Sequence, residues 1–222
     1  LLAKIANKVL VAFPNVLLSS KMHLVGNPVR EEIIAIDRSA MKLSENSSAI
    51  KILVIGGSLG AKVLNDNLPL ALAKLDAKPA QITHQVGRAA IEQIIATYQA
   101  NLVKNVQVVN FIDDMAAAYA NADLIICRAG ASTVAEVAAA GIAAIFVPYP
   151  YAVDDHQTTN TRQLVAAGAA ILLLQAELSP AKLAELISGL NHTICQNMGE
   201  KARSLAILDS TQQICQQIIE QL

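Results

Sequence analysis

Leu124–Glu136 reads LIICRAGASTVAE: an apolar run, an arginine, a turn of small residues around Gly130, and a helix start carrying Thr133 and Glu136. A buried strand that ends at a glycine turn and feeds a helix leaves unpaired backbone N–H groups at the strand's C-terminal edge. An anion can sit there. A glutamate in the first turn of such a helix brings a carboxylate to hydroxyl groups beside the anion, as an acidic residue does with a ribose in dinucleotide-binding folds. The chemistry indicated is that of a nucleotide. Spacing leaves a second reading open, because Thr133 with Glu136 three residues later also fits a capping box. Arg128 is either an anion ligand or the partner of a carboxylate such as Asp123 or Glu136. Cys127, ending a buried strand, reads as core rather than nucleophile.

Outward from this stretch the pattern is regular from Lys51 on. Short β-branched runs at Ile52–Ile55, Gln81–Val86, Val106–Asn110, Leu124–Cys127, Ala144–Val147 and Ala170–Leu174 read as strands. Between them, stretches near 61–75, 88–100, 114–120, 133–140, 156–167 and 180–190 read as helices, and Thr211–Leu222 as a closing helix. Strand–helix alternation of this kind predicts right-handed βαβ units in an α/β fold with a doubly wound parallel six-stranded sheet.

Three further loops could carry chemistry. Gly56-Gly57-Ser58-Leu59-Gly60 follows the first of these strands. Glycines allow a phosphate to approach the backbone and Ser58 adds a hydroxyl, yet the loop is neither GxGxxG nor a Walker sequence, and a plain tight turn fits it too. Phe111-Ile112-Asp113-Asp114-Met115 follows another strand; Asp113 reads as an N-cap, and amides near Ile112 could meet the edge of a base. Pro148–Asn160, PYPYAVDDHQTTN, crowds Asp154, Asp155, His156, Gln157 and Asn160 together, a set suited to sugar hydroxyls. One histidine beside two aspartates lacks the i, i+4 spacing of a helical zinc site, so no metal is expected. His23, His84 and His192 stand apart from any cluster.

Composition narrows the class. Hydrophobic residues make up 54% of the 222 residues but aromatics only 3%, which suits Ala, Leu, Ile and Val helices packed on a parallel sheet. A net charge of -1 gives no reason to expect nucleic acid. Cys127, Cys195 and Cys215 match no metal pattern and are expected to be reduced thiols. No apolar run reaches the roughly 18 residues that span a bilayer, so a soluble or peripheral protein is expected.

The N-terminal part is less regular. Residues 1–13, LLAKIANKVLVAF, place Lys4 and Lys8 opposite an apolar stripe and predict an amphipathic helix, facing either the core or a membrane surface. Val25-Gly26-Asn27-Pro28-Val29-Arg30 reads as a hinge, and residues 37–49 as a solvated excursion. The first residue is Leu1, and the opening sequence has the character of mid-protein sequence, so a fragment is expected.

Taken together, GNPVREEI, ILVIGGSLGAKVLN, FIDDMAAAYANADLIICRAGASTVAE and VPYPYAVDDHQTTN resemble, over nearly the whole chain and in order, the MurG family. Its members are bacterial UDP-N-acetylglucosamine:undecaprenyl-pyrophosphoryl-muramoyl-pentapeptide N-acetylglucosaminyltransferases of peptidoglycan synthesis. The resemblance implies the Rossmann-like C-terminal half of a GT-B fold. Residues 1–25 would be the tail of an otherwise missing N-terminal domain, 26–50 a hinge, 51–206 the UDP-sugar donor-binding domain and 207–222 a closing helix. It implies that Arg30 lies near the uracil, that Ile112 pairs with it through its backbone, and that Ser58 approaches the phosphate and sugar. Ala131, Ser132, Thr133, Val134 and Ala135 would face the diphosphate, Glu136 the ribose, and Gln157 the N-acetylglucosamine, with Asn160 nearby. Leu59 departs from the family, where a polar residue such as Gln is frequent.

The resemblance also implies an inverting transfer from UDP-N-acetylglucosamine to a lipid-linked acceptor, with no cofactor and no catalytic residue in this chain. The acceptor would be held by the missing domain, at the cytoplasmic face of the inner membrane. A donor-binding half with a separate membrane partner, and a UDP-sugar epimerase of the same fold, are the alternatives.

Overall fold

The computed structural model describes residues 5–14, 20–38, 49–57, 60–88, 91–152 and 156–221. It corrects the N-terminal expectation at once. Val9-Leu10-Val11 is not helical but a strand, β1 (Val9–Val11), paired in parallel with β2 (Met22–Leu24). Two β-branched valines flank Leu10, and the ladder is extended by Val9 N–H to Lys21 O and Val25 N–H to Val11 O. Lys8, read as part of a helix's polar face, instead reaches Gln217 and Glu220 in the C-terminal helix at 2.9 and 3.0 Å.

A short helix, α1 (Glu31–Ile34), follows the GNPVR segment. Then come β3 (Lys51–Ile55), α2 (Lys62–Ala73), β4 (Gln81–Gln85), α3 (Ile91–Ala100), β5 (Val106–Val109), α4 (Met115–Ala120), β6 (Leu124–Cys127), α5 (Ala131–Ala140), β7 (Ala143–Phe146), α6 (His156–Ala166) and β8 (Ala170–Leu172). Three helices close the chain: α7 (Pro180–Ser188), α8 (His192–Ser204) and α9 (Ser210–Ile219). From Lys51 on the expected strands and helices are all present, with α8 an addition; before Lys51, β1, β2 and α1 were not expected.

β3 to β8 form one parallel sheet in the order β5-β4-β3-β6-β7-β8. Alternation along each strand supplies both faces with apolar groups. Ile52, Val54, Ile82, Leu124 and Ile126 pack with Leu64, Leu68 and Leu72 of α2, Tyr98 of α3 and Leu183 of α7. Leu53, Ile125, Cys127 and Phe146 pack on the other side with Val134 and Val137 of α5, Tyr119 of α4 and Leu164 of α6. The chain winds outward from β3 to β5 and then returns to β6, so the direction of winding reverses between β3 and β6. At that switch point the βα turns on either side splay apart, which leaves a crevice at the strands' C-terminal ends.

Candidate functional site

Two turns border this crevice. After β3, Gly56 N–H bonds to Gln85 O of β4, and Gly60 N–H bonds to Gly57 O. Gly60 has a positive φ of 75°, and a Cβ there would fall 2.3 Å from the Val86 carbonyl oxygen. At Gly57, also left-handed at φ 77°, a Cβ would meet nothing within 4 Å among the described residues. Gly60 is thus required by packing, and Gly57 by its backbone conformation. Ser58 lies outside the described residues.

After β6, α5 starts at Ala131 with Gly130 as its N-cap and no side-chain cap. Its first intrahelical bond is Val134 N–H to Gly130 O. The amides of Ala131, Ser132 and Thr133 therefore have no partner within the helix and carry the positive end of its dipole. The capping box open on spacing is not formed: the helix begins two residues before Thr133, because Gly130 and Ala131 enter it without steric cost.

Glu136 has other partners. Its Oε2 accepts from the Tyr119 hydroxyl at 3.0 Å, and its Oε1 lies 3.3 Å from Nη2 of Arg30. Tyr119 is 1% exposed; burial first, then the Glu136 carboxylate, pushes its pKa well above the ordinary phenol value. The phenol stays protonated and can only donate to Glu136. Arg30, the N-cap of α1, also approaches Glu32 at 3.8 Å, and Asn27 donates to the Ser132 hydroxyl at 3.4 Å. The Arg30–Glu136 and Asn27–Ser132 contacts bind the GNPVR segment to α5.

On the β5 side of the crevice, half-buried Ile112 packs against the α5-side core beside exposed Phe111. Both line a groove of about 440 Å³ running down the β3–β5 face toward Lys51. Asp114, not Asp113, caps α4 by accepting from Ala117 N–H at 2.8 Å, one residue later than expected. On the opposite side, Gln157 in the first turn of α6 accepts the Tyr149 N–H at 2.9 Å. Buried Asn160 donates to Ala129 O at 3.1 Å.

Arg128 pairs with neither Asp123 nor Glu136. Its Nη1 donates to the carbonyls of Val147 and Pro148, and its guanidinium lies 5.5 Å from the Tyr149 ring centroid. Asp123 sits at the opposite edge of the sheet, taking Lys51 N–H at 2.7 Å and His192 Nδ1 at 3.0 Å. Cys127 is fully buried and its thiol pKa is pushed up by burial, as expected of a core residue.

Arg30, Ile112, Ala131–Glu136 and Gln157 thus all lie along the C-terminal edge of the strands. Tyr119, Asn27 and Arg128 join them as supporting residues; Asn27 stood within the hinge motif and Arg128 within the opening stretch, but the partners of all three were not read from the sequence. The larger cavity, about 580 Å³, lies at the N-terminal edge instead, lined by Ile34, Arg38, Asp123, His192 and Arg203. Its arginines are engaged by main-chain carbonyls: Arg38 by those of Tyr119 and Ala122, Arg203 by those of Ala139 and Ile34. They satisfy helix ends rather than a ligand.

Comparison with known proteins places this geometry in context. The glycosyltransferase family 28 C-terminal domain matches residues 51–221. The UDP-N-acetylglucosamine–N-acetylmuramyl-(pentapeptide) pyrophosphoryl-undecaprenol N-acetylglucosamine transferase of Dechloromonas aromatica is 50% identical over 221 residues, covering 98% of this chain and 62% of that protein. Its counterpart in Cupriavidus pinatubonensis is 49% identical over 216 residues, covering 97% and 60%. The crystal structure of Acinetobacter baumannii MurG superposes with a TM-score of 0.88 at 43% identity, covering 99% of this chain and 62% of that one. The chain spans about three fifths of the length of the curated relatives it matches. A glycosyltransferase from Rickettsia africae, with a TM-score of 0.63 at 15% identity, shares the fold.

Proposed function

Because the chain belongs to the family of the glycosyltransferase family 28 C-terminal domain, we propose that it binds UDP-N-acetylglucosamine and serves as the donor half of an inverting N-acetylglucosaminyltransferase. The acceptor is the lipid-linked muramoyl pentapeptide named in its relatives. The observation that carries the reading is the pairing, on one helix, of first-turn amides that have no partner within the helix with a carboxylate held by Tyr119 further along. Amides suit a diphosphate and the carboxylate suits ribose hydroxyls. Arg30 and the Ile112 backbone take the uracil side, Ser58 the phosphate and sugar, and Gln157 the sugar hydroxyls.

In the transfer, an acceptor hydroxyl attacks the anomeric carbon from the face opposite UDP, the carbon–oxygen bond to the diphosphate breaks, and UDP leaves with the electron pair. The α5 amides stabilise the charge that gathers on the leaving diphosphate. The base that takes the acceptor's proton and the acceptor site belong to an N-terminal domain of which residues 1–25 are the tail. The acceptor's lipid places the reaction at a membrane surface, on the cytoplasmic face; among the described residues no helix is long and apolar enough to cross a membrane.

Calorimetric titration of the chain with UDP-N-acetylglucosamine tests the site. Saturable binding that Glu136→Ala weakens supports it. Undetectable binding at millimolar donor, or an affinity indifferent to that substitution, sinks it.

A further inference from the structure

Three separate segments at the crevice are tied into a closed ring of hydrogen bonds. Arg128, directly after β6, donates Nη1 to Val147 O at 3.1 Å and Pro148 O at 3.0 Å, beyond the end of β7. The next residue, Tyr149, donates its N–H to Gln157 Oε1 on α6 at 2.9 Å and carries the ring against which the Arg128 guanidinium rests. One turn further along α6, Asn160, 8% exposed, returns a hydrogen bond from Nδ2 to Ala129 O, beside Arg128. The ring therefore runs from the β6 turn to the β7 loop, to α6, and back.

Its two sides differ in how they are otherwise held. α5 is anchored in the core by Val134 and Val137, 2% and 0% exposed, so its amides do not need the ring. Beyond buried Pro148 the Tyr149–Tyr151 segment is exposed, with Tyr149 45% and Tyr151 80% accessible; among the described residues its ring contacts are the edge-to-face pair of the two tyrosines and the Arg128 guanidinium. The ring ties this exposed segment to the β6 turn that leads into α5. It also fixes the Gln157 amide: with Oε1 taken by Tyr149 N–H, Nε2 has no hydrogen bond among the described residues and is presented as a donor.

We propose that Arg128 and Asn160 are positioning residues for the sugar of a nucleoside diphosphate sugar, holding the Gln157 amide in register with the diphosphate-binding start of α5. The inference rests on the donor-site reading and adds to it a mechanism for sugar recognition. The guanidinium meets both demands at once: Nη1 donates to two successive carbonyls while the charged plane lies against the Tyr149 ring.

The test compares UDP with UDP-N-acetylglucosamine on the 222-residue chain, by calorimetry. Arg128→Met lowers affinity for the UDP-sugar about tenfold, the scale of one charge-assisted hydrogen bond, while leaving that for UDP within about twofold because α5 keeps its core anchors. Combining Arg128→Met with Gln157→Met loses no more than Gln157→Met alone, since both act through one ring. Additive losses, or an equal loss for UDP and the UDP-sugar, overturn the proposal. Should Arg128→Met fail to fold, Arg128→Lys keeps the charge, and amide hydrogen exchange at Tyr149 is its readout. Faster exchange at this N–H, whose own acceptor is Gln157, supports the ring, and unchanged exchange overturns it. A parent chain that does not bind UDP overturns the donor-site reading and this inference with it; normal UDP binding with the wrong variant pattern overturns the ring alone.

Discussion

The Tyr119 hydroxyl, at the end of α4, donates to Glu136 Oε2 in α5 at 3.0 Å. A phenol enclosed in the core thereby fixes a carboxylate that is only partly enclosed, leaving the other oxygen to face the crevice and Arg30. Orientation of this kind matters most for a ligand with directional hydroxyl groups. Tyr119→Phe keeps the ring and its packing and removes only the donor. It is expected to weaken UDP binding about three- to tenfold, the range of an ordinary net hydrogen bond, because Tyr119 orients Glu136 rather than touching the nucleotide. Affinity for 2′,3′-dideoxy-UDP, which lacks the hydroxyls Glu136 would accept, should stay the same. Equal losses for both nucleotides would remove Glu136 from the ribose.

Arg30 gives a complementary expectation. Its pair with Glu136 spans 3.3 Å, but the arginine side chain is 46% exposed, so solvent screens it. Arg30→Ala should lower the stability read from urea unfolding by less than about 0.5 kcal/mol, as for other surface pairs. If Arg30 serves the uracil side of the donor, the same substitution weakens UDP binding by much more than it weakens the fold. A parallel loss of stability and affinity would make the residue structural.

The glycine turn separates packing from ligand access. Gly60→Ala forces a Cβ to within 2.3 Å of the Val86 carbonyl at a left-handed φ, and should destabilise the chain by more than about 2 kcal/mol. Gly57→Ala meets the same φ penalty with nothing within 4 Å of the new Cβ among the described residues, and should cost about 1 kcal/mol. Chemical denaturation of the two variants checks the order. A Gly57→Ala chain that stays folded but binds UDP-sugar poorly would show that the Gly57 side of the turn faces the ligand.

The sheet was legible because each strand is a short β-branched run bounded by a turn, and nothing remote is needed to recognise it. α8 was not, because its buried face is Cys195, Met198, Gly199 and Ala202, a set too small and mixed to register as an apolar stripe. Gly199 is there for a tertiary reason: a Cβ would lie 2.2 Å from Gly141 O at the end of α5. β1 has three residues, too short to compete with the helical spacing of its neighbours. At the site, the positions along the strand ends followed from turn chemistry, whereas the partners of Glu136 and Arg128 depended on contacts between separate elements. Local spacing made Thr133 and Glu136 resemble a capping box; the Tyr119 hydroxyl that holds Glu136 comes from another helix.

His84 gives the fold an acid limit. It lies fully buried on β4, its Nδ1 2.8 Å from the Tyr98 hydroxyl and its Nε2 without a partner among the described residues. Burial lowers its pKa from 6.5 to about 4, so the folded chain holds a neutral imidazole where the unfolded chain holds a cation. Between pH 4 and 6.5 the unfolded state therefore binds the extra proton, and stability must rise with pH through that window and level off above it. The full effect is about 3 kcal/mol, felt as the pH falls from 6.5 toward 4. Tyr98, whose pKa burial raises, remains protonated throughout and adds no slope there. Replacing both partners, His84→Leu with Tyr98→Phe, avoids leaving either polar group stranded. Urea unfolding at pH 7 and pH 4.5 should then show a smaller acid loss in the double variant than in the parent. An identical loss in both would mean that the carboxylates, not His84, set the acid limit.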